Sequence, residues 1–158
     1  MKKFRKVAVG GTFDELHKGH KVLLVKAFEI GEIVLIGLCT DEFVRKMDKP
    51  HITASYEARL KELQTFLEQK CLSDKAEIIP LDNPYGNTLT DKCIEALVVS
   101  EETEKTAMKI NQKRSEGRLP LLTIVTISMV PAENYKPIST TRIRQGEIDR
   151  EGHLLKNP

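Results

Sequence analysis

The chain has 158 residues, of which 40% are apolar and 30% charged, and its formal net charge is +2. These values are typical of one globular domain, which we expect to span residues 1–158, and the three scattered cysteines predict free thiols in a reducing cytoplasm. The small net charge and the lack of a long apolar stretch argue against a nucleic-acid-binding protein, a membrane protein and a signal peptide.

Apolar runs alternate with helical patterns along the chain. Gly31 is expected to cap the first helix. The run 33–39 is apolar except for one glycine, which predicts a strand covered on both faces. Pro80 predicts that its strand lies at a sheet edge or ends there. Strands are predicted over 6–10, 33–39, 77–81, 96–100 and 121–129, and helices over 18–30, 54–70, 91–95, 102–116 and 139–145.

This alternation predicts an α/β fold, a Rossmann-like three-layer structure with a five-stranded parallel sheet. In such open sheets, ligands bind beyond the carboxyl ends of the strands. We therefore expect the functional residues in the segments that follow the strands, which are 10–14, 40–50, 81–90, 100–103 and 130–141.

The segment GGTFDELHKGH follows the first predicted strand. Gly10 and Gly11 permit backbone conformations closed to other residues and a close approach of a ligand. His17 and His20 lie three residues apart, so that on a helix they share one face, which Gly19 keeps low. Three interpretations stay open from these residues: a structural turn with partly satisfied histidines, a metal site that lacks a grouped third ligand, and a phosphate site at a helix start.

The same segment resembles the T/HxGH signature of the nucleotidyltransferase superfamily, and ISTTRIR, residues 138–144, resembles its ISSTxIR motif. The pair in this order is more specific than either motif alone. The stretches TDEFVRK, PLDNPYG and VVSEET extend the similarity over nearly the whole chain. The chain thereby resembles the phosphopantetheine adenylyltransferases of the archaeal and eukaryotic type.

This resemblance implies that the phosphate of 4′-phosphopantetheine attacks the α-phosphorus of ATP in line, giving dephospho-coenzyme A and pyrophosphate. Such an enzyme needs neither a covalent nucleophile nor a strong base, because the attacking phosphate is already ionised. It works by positioning and charge stabilisation. The resemblance also implies Mg²⁺ carried with ATP, without a dedicated metal site, and coenzyme A as a candidate inhibitor.

The resemblance assigns roles to the first segment. Thr12 is expected to donate its hydroxyl to the attacking phosphate. His17 and His20 are expected to contact the nucleotide phosphates, with His20 stabilising charge on the α-phosphate. The residues expected to line the ligands here are Gly10, Gly11, Thr12, Phe13, His17, Gly19 and His20.

The last motif is expected to hold the other end of the triphosphate. Arg144 would neutralise the leaving pyrophosphate. The alternative is a serine N-cap followed by surface arginines. The residues expected to bind the β- and γ-phosphates at this helix start are Ile138, Ser139, Thr140 and Thr141.

Two further loops carry candidate ligand contacts. Lys46 and Lys49 follow the second strand; one of them is expected to hold the acceptor phosphate, and Lys46 is preferred. Ser100 and Glu101 follow the fourth strand as candidate nucleotide contacts, where bacterial enzymes carry an arginine-containing RGLR segment that this chain lacks. A serine N-cap with acids in the first helical turn is the alternative.

Other functions stay open. The nearest are FMN adenylyltransferase and the glycerol-3-phosphate and choline-phosphate cytidylyltransferases, which share the first motif. A non-catalytic nucleotide-binding regulatory module is the alternative of a different class, and the presence of both His17 and His20 argues against it. The expected ligands are ATP, 4′-phosphopantetheine, dephospho-coenzyme A and pyrophosphate, and neither nucleic acid nor a membrane is expected as a partner.

Overall fold

The computed structural model describes residues 2–155, and in this range five parallel strands form one sheet. The predicted α/β, Rossmann-like architecture is confirmed. The strand order is β3-β2-β1-β4-β5. The direction of the chain across the sheet therefore reverses between β1 and β4, where such folds leave a ligand crevice. The strands are β1 (Phe4–Gly11), β2 (Gly31–Cys39), β3 (Ala76–Leu81), β4 (Ala96–Ser100) and β5 (Thr123–Ile127). Met1 and residues 156–158, which the predicted domain includes, lie outside the described range.

Four of the predicted helices are confirmed, with ends that differ by up to two residues. The helix predicted over 91–95 is wrong, because the Asp91 carboxylate accepts the backbone N–H of Cys93 (2.8 Å) and holds a turn. A helix that was not predicted follows β2. The helices are α1 (Lys18–Ile30), α2 (Asp41–Lys46), α3 (Tyr56–Gln69), α4 (Glu104–Glu116) and α5 (Thr140–Arg144).

The strands alternate between two apolar clusters. One face of the sheet packs on α1 and α3 through residues such as Val7, Ile36 and Val98, and the other packs on α4 through Ala8 and Leu97. The predicted strand covered on both faces is confirmed, since every residue over 34–39 is buried. β3 is an edge strand, as Pro80 predicts. Within the described residues, no helix combines the length and apolarity that a bilayer crossing requires.

Gly31 follows α1 as predicted, but for another reason. Its backbone is extended (φ −116°, ψ 140°) and already begins β2, so no left-handed cap forms. A Cβ at this position would lie 2.6 Å from Cγ2 of Val7. Glycine is therefore required by the close contact between the end of α1 and β1.

Candidate active site

A cavity of about 540 Å³ lies at the carboxyl ends of the strands. The ends of all five strands contribute to it through Gly11, Cys39, Leu81, Ser100 and Ile127. It brings the two predicted motifs together. The predicted residues that line it are Gly10, Gly11, Thr12, Phe13, His17, Gly19, His20, Ser100, Ile138, Ser139, Thr140 and Thr141, whereas Lys46, Glu101 and Arg144 lie outside its lining.

The loop after β1 is bent by residues other than its glycines. Phe13 (φ 51°) and Glu15 (φ 50°) adopt the left-handed conformation, whereas Gly10 and Gly11 are paired in register with β2. The expectation that these glycines supply a special conformation is therefore wrong. A Cβ at either position would make ordinary contacts at 3.4 Å with neighbouring side chains. Glycine at both positions keeps side chains out of the cavity and leaves the main chain accessible to a ligand.

His17 and His20 stack on one another, with ring centroids 3.7 Å apart and planes 17° apart. His17 is the N-cap of α1, and its Nδ1 accepts the backbone N–H groups of Gly19 (3.0 Å) and His20 (3.3 Å). In return, Nδ1 of His20 accepts the N–H of His17 (3.2 Å). A neutral imidazole that accepts at Nδ1 carries its proton on Nε2. Both rings therefore present an Nε2–H donor, for which residues 2–155 supply no acceptor.

Burial keeps both imidazoles neutral. His17 is 6% exposed, and burial together with the charges of Arg150 and Lys21 lowers its pKa to about 4. Burial, with the neighbouring His17 and the cation of Lys49, holds the pKa of His20 well below its usual value. At neutral pH the two rings are therefore hydrogen-bond donors and carry no charge.

Gly19 makes room for this arrangement. A Cβ at Gly19 would lie 2.9 Å from Cε1 and 3.0 Å from Nδ1 of His17. Any side chain here would displace the ring from its capping position. The low surface that was predicted for a ligand is thus first of all space for the folded-back imidazole.

Asp14 joins the first loop to α5. Its carboxylate is 1% exposed and accepts Nε and Nη2 of Arg144, each at 2.8 Å, and the backbone N–H of Ala54 at 3.2 Å. Its backbone oxygen accepts the Thr140 hydroxyl at 2.8 Å. Burial raises the pKa of Asp14, but the hydrogen bonds from Arg144 and Ala54 outweigh it and lower the pKa below the usual value. These bonds hold the two distant motifs side by side.

The position of Arg144 differs from the prediction. Its guanidinium, expected to face the leaving pyrophosphate, is paired with the buried Asp14 and lies 3.4 Å from Glu15. The carboxylates already compensate its charge. The structure therefore shows Arg144 anchoring α5 to the first loop. Its predicted contact with the leaving pyrophosphate stays a prediction.

Lys49, and not Lys46, reaches the cavity. The ammonium of Lys49 donates to the hydroxyl of Thr12 at 3.4 Å. Lys46 lies in the last turn of α2, with its ammonium 3.7 Å from the carboxylate of Glu42 and 69% of its side chain exposed. The geometry thus favours Lys49 over the preferred Lys46, because α2 turns the Lys46 side chain into solvent. Which lysine holds the acceptor phosphate stays a prediction.

Ser139 is the N-cap of α5, since its Oγ accepts the backbone N–H of Arg142 at 3.2 Å. The capping alternative is thus present, and it leaves the hydroxyl proton of Ser139 available to a ligand. The hydroxyl of Thr140 is already used by Asp14. The backbone N–H groups of Thr140 and Thr141 have no acceptor within the described chain, as expected at a helix start. Ile138 is buried and anchors this segment.

The loop after β4 is only partly as predicted. Ser100 lines the cavity with Glu102 and Thr103, whereas Glu101 is exposed outside it. The N-cap position of α4 belongs to Thr103, whose hydroxyl accepts the N–H of Ser100 at 3.2 Å. The alternative of a serine N-cap at Ser100 is therefore wrong.

Two contributors were missed by the sequence analysis. His51 lines the same wall as Lys49. Arg59 lies buried beneath the first loop, where its guanidinium donates to the Thr12 carbonyl at 2.9 Å. One signal pointed to Arg59: it is a charged residue on the apolar face of α3, between positions that face the core. In the described part of the chain, no group of three or more His, Cys, Asp or Glu side chains could hold a metal ion.

The sequence pattern of cytidylyltransferase-like proteins matches residues 8–146. Phosphopantetheine adenylyltransferases from Methanothermobacter thermautotrophicus and Methanopyrus kandleri are each 46% identical to the chain, over 98% and 93% of its length and 92% of their own. The chain belongs to the phosphopantetheine adenylyltransferase family. The family resemblance that the two motifs indicated is thereby confirmed.

Solved structures agree with this family assignment at the level of the fold. A protein of unknown function from Archaeoglobus fulgidus is 38% identical, with a TM-score of 0.70 over 77% of this chain and 88% of its own. A putative nicotinate-nucleotide adenylyltransferase from Vibrio parahaemolyticus has a TM-score of 0.55 over 90% of this chain and 80% of its own, at 16% identity. The phosphopantetheine adenylyltransferase family thus shares its architecture with a protein named as another nucleotidyltransferase.

Proposed function

We propose that the chain transfers the adenylyl group of ATP to 4′-phosphopantetheine, giving dephospho-coenzyme A and pyrophosphate. One observation carries the proposal: the Nε2–H donors of His17 and His20 share a cavity with Ser139 and Lys49, in a chain 46% identical to phosphopantetheine adenylyltransferases. Neutral donors, a hydroxyl and a cation are groups that bind phosphate oxygens. The first loop and α5 offer no activated nucleophile, and this reaction requires none.

The nucleotide occupies the side of the cavity between α1 and α5. Its triphosphate crosses the imidazole face, where His20 donates from Nε2 to the α-phosphate and His17 donates to a neighbouring oxygen. Charge grows on these oxygens in the transition state, so fixed donors stabilise that state more than the ground state. The hydroxyl of Ser139 and the free N–H groups of Thr140 and Thr141 bind the departing β- and γ-phosphates.

The acceptor occupies the opposite side. Lys49 and Thr12 hold its phosphate, since the ammonium and the hydroxyl lie 3.4 Å apart at the cavity wall. The pantetheine arm extends along an apolar wall that includes Leu81, Pro84 and Leu97. The acceptor phosphate thus lies between a cation and the α-phosphorus that it attacks.

The chemical step forms a bond between an acceptor phosphate oxygen and the α-phosphorus and breaks the bond from that phosphorus to the β-phosphate oxygen. No proton has to leave the nucleophile, which agrees with two histidines that cannot act as bases at neutral pH. Positioning of the reactants contributes about 7–11 kcal/mol in well-oriented systems. Mg²⁺ enters as part of the MgATP substrate. Asp14 is buried and does not line the cavity, so it is not expected to bind this ion.

The decisive experiment measures pyrophosphate release from ATP with 4′-phosphopantetheine, FMN or glycerol 3-phosphate in parallel, and repeats it with CTP. We expect release only with ATP and 4′-phosphopantetheine. His20→Ala serves as the control that assigns the release to this cavity. Release with FMN or glycerol 3-phosphate, or equal use of CTP, would replace the proposed substrates with another pair.

The three cysteines Cys39, Cys71 and Cys93 are free thiols. They support a reducing, cytoplasmic compartment for the reaction. Coenzyme A, which contains the acceptor's pantetheine arm, is proposed as an inhibitor that competes for the acceptor side of the cavity.

A further inference from the structure

Arg59 lies in the first turn of α3 and is 1% exposed. A buried guanidinium is costly unless its N–H groups find acceptors. Arg59 meets this demand with bonds from Nε to the Ala54 carbonyl (2.9 Å), from Nη1 to the carbonyls of Thr12 (2.9 Å) and Cys39 (2.8 Å), and from Nη2 to the Asp41 carboxylate (3.1 Å).

These four acceptors belong to separate segments that meet under the acceptor side of the cavity. Thr12 belongs to the first loop, Cys39 ends β2, Asp41 begins α2, and Ala54 precedes α3. Lys49 lies in the loop between the last two acceptors. One guanidinium therefore fixes the carbonyl of Thr12 and both ends of the segment 41–54, whose loop after α2 carries Lys49.

We propose that Arg59 is a positioning residue for the transfer, and that it sets the place of the Thr12 hydroxyl and the Lys49 ammonium through the backbone. This inference rests on the proposed function, because it concerns the two groups that hold the acceptor phosphate. Arg59 itself is buried and is not part of the cavity lining. It acts on the alignment of the attacking phosphate with the α-phosphorus. A misalignment of about 1 Å lowers the rate of such a reaction on the order of 10²-fold.

The chain contains a matched control. Arg114 is also 1% exposed, and it donates to the carbonyls of Pro120 (2.8 Å), Thr88 (2.6 Å) and Asp91 (3.2 Å). None of these three partners lines the cavity. Arg114 thus has the burial of Arg59 and likewise donates to several backbone carbonyls, but among residues 2–155 it lacks a carboxylate partner and has no connection to the first loop.

The test compares Arg59→Lys with Arg114→Lys. Lysine retains the charge but cannot reach all the acceptors of a guanidinium, so both variants should melt at lower temperature than the wild type. Below both transitions, we expect Arg59→Lys to lower kcat by about 10- to 100-fold while KM for ATP changes little, and Arg114→Lys to stay within about twofold of the wild type. Equal kcat in the two variants would overturn the proposal.

A second variant keeps the test decisive if Arg59→Lys does not fold. Asp41→Asn retains an acceptor for Arg59 and removes its carboxylate charge, which is the ion-pair partner of Arg59 among residues 2–155. We expect kcat to fall by several-fold at unchanged KM for ATP; an unchanged kcat would count against the proposal. The two hypotheses fail differently. A wild type that releases no pyrophosphate with 4′-phosphopantetheine refutes the proposed function, whereas an active wild type with an equally active Arg59→Lys refutes only the positioning role.

Discussion

Replacing His17 with asparagine separates two properties of this side chain. The amide oxygen of asparagine can accept the N–H groups of Gly19 and His20, as Nδ1 of His17 does, so the cap of α1 is retained. The amide does not titrate. In the wild type, burial lowers the pKa of His17 to about 4, whereas an imidazole in the unfolded chain titrates near 6.5. As the pH falls from about 6.5 to about 4, His17 becomes protonated in the unfolded state but stays neutral in the folded state. The free energy of unfolding therefore decreases.

The full difference between these pKa values corresponds to about 3 kcal/mol, of which roughly 2.5 kcal/mol is lost between about pH 7 and about pH 4.5. Urea unfolding of wild type and His17→Asn at both pH values measures it. The pKa of His20 is also lowered, but that ring is present in both proteins. We expect the variant to match the wild type near neutrality, to lose about 2.5 kcal/mol less on acidification, and to turn over slowly because it lacks the Nε2–H donor. Equal acid losses in the two proteins would refute the buried, neutral imidazole.

Four further outcomes are expected. His20→Ala should lower kcat by about 10²–10³-fold, as the loss of one transition-state donor does, with a small change in Tm because it removes one capping bond; turnover within a few-fold of wild type would exclude His20 from the mechanism. Lys49→Ala should raise KM for the acceptor and leave KM for ATP unchanged, whereas the exposed Lys46→Ala should behave as wild type; the reverse result would restore the original preference. Asp14→Ala should cost about 1–3 kcal/mol in urea unfolding, because the Ala54 N–H loses its acceptor and Arg144, partly exposed, keeps only Glu15 as a partner within the described chain; an unchanged stability would contradict the clamp between the motifs. The pH profile of kcat/KM for the acceptor should show one inflection near about 6, the second ionisation of its phosphate, and this inflection should move when a phosphonate analogue replaces the acceptor; a fixed inflection would indicate a titrating group on the enzyme.

The strands could be predicted because each carries its own apolar signal. β2 is the clearest case, since a run apolar on both faces can only be satisfied between two layers of helices. α2 could not be predicted in the same way. It has six residues, too short for a periodic pattern, and depends on local bonds such as the Thr40 hydroxyl accepting the N–H of Phe43. The error at Asp91 has the same origin, because a side-chain bond decided the backbone there.

The cavity could be located from sequence, but not the partner of each charged residue. A motif indicates that Arg144 lies near the first loop, and it does. Whether the guanidinium meets a phosphate or Asp14 depends on the bent conformation at Phe13 and Glu15, which brings that carboxylate under α5. From sequence, Lys46 is preferred over Lys49, and only the structure, through α2, shows which of them faces solvent. These assignments depend on where α2 and the turn after β1 direct each side chain, which residue types alone do not reveal.

The two histidines show how the structural and the functional interpretation of the first motif can both hold. Each ring has two nitrogens. The Nδ1 atoms of His17 and His20 belong to the cap of α1, and that bonding leaves the proton on Nε2 of two rings that line the cavity. The arrangement requires neutral rings, because a protonated Nδ1 could not accept from the backbone. The imidazoles can therefore supply directed donors but neither a base nor a net positive charge. In the proposed reaction, the phosphate charges would be compensated by Lys49 and by the cation that accompanies ATP. A histidine pair of this kind suits a reaction whose nucleophile arrives already ionised, and it would not suit one that must remove a proton.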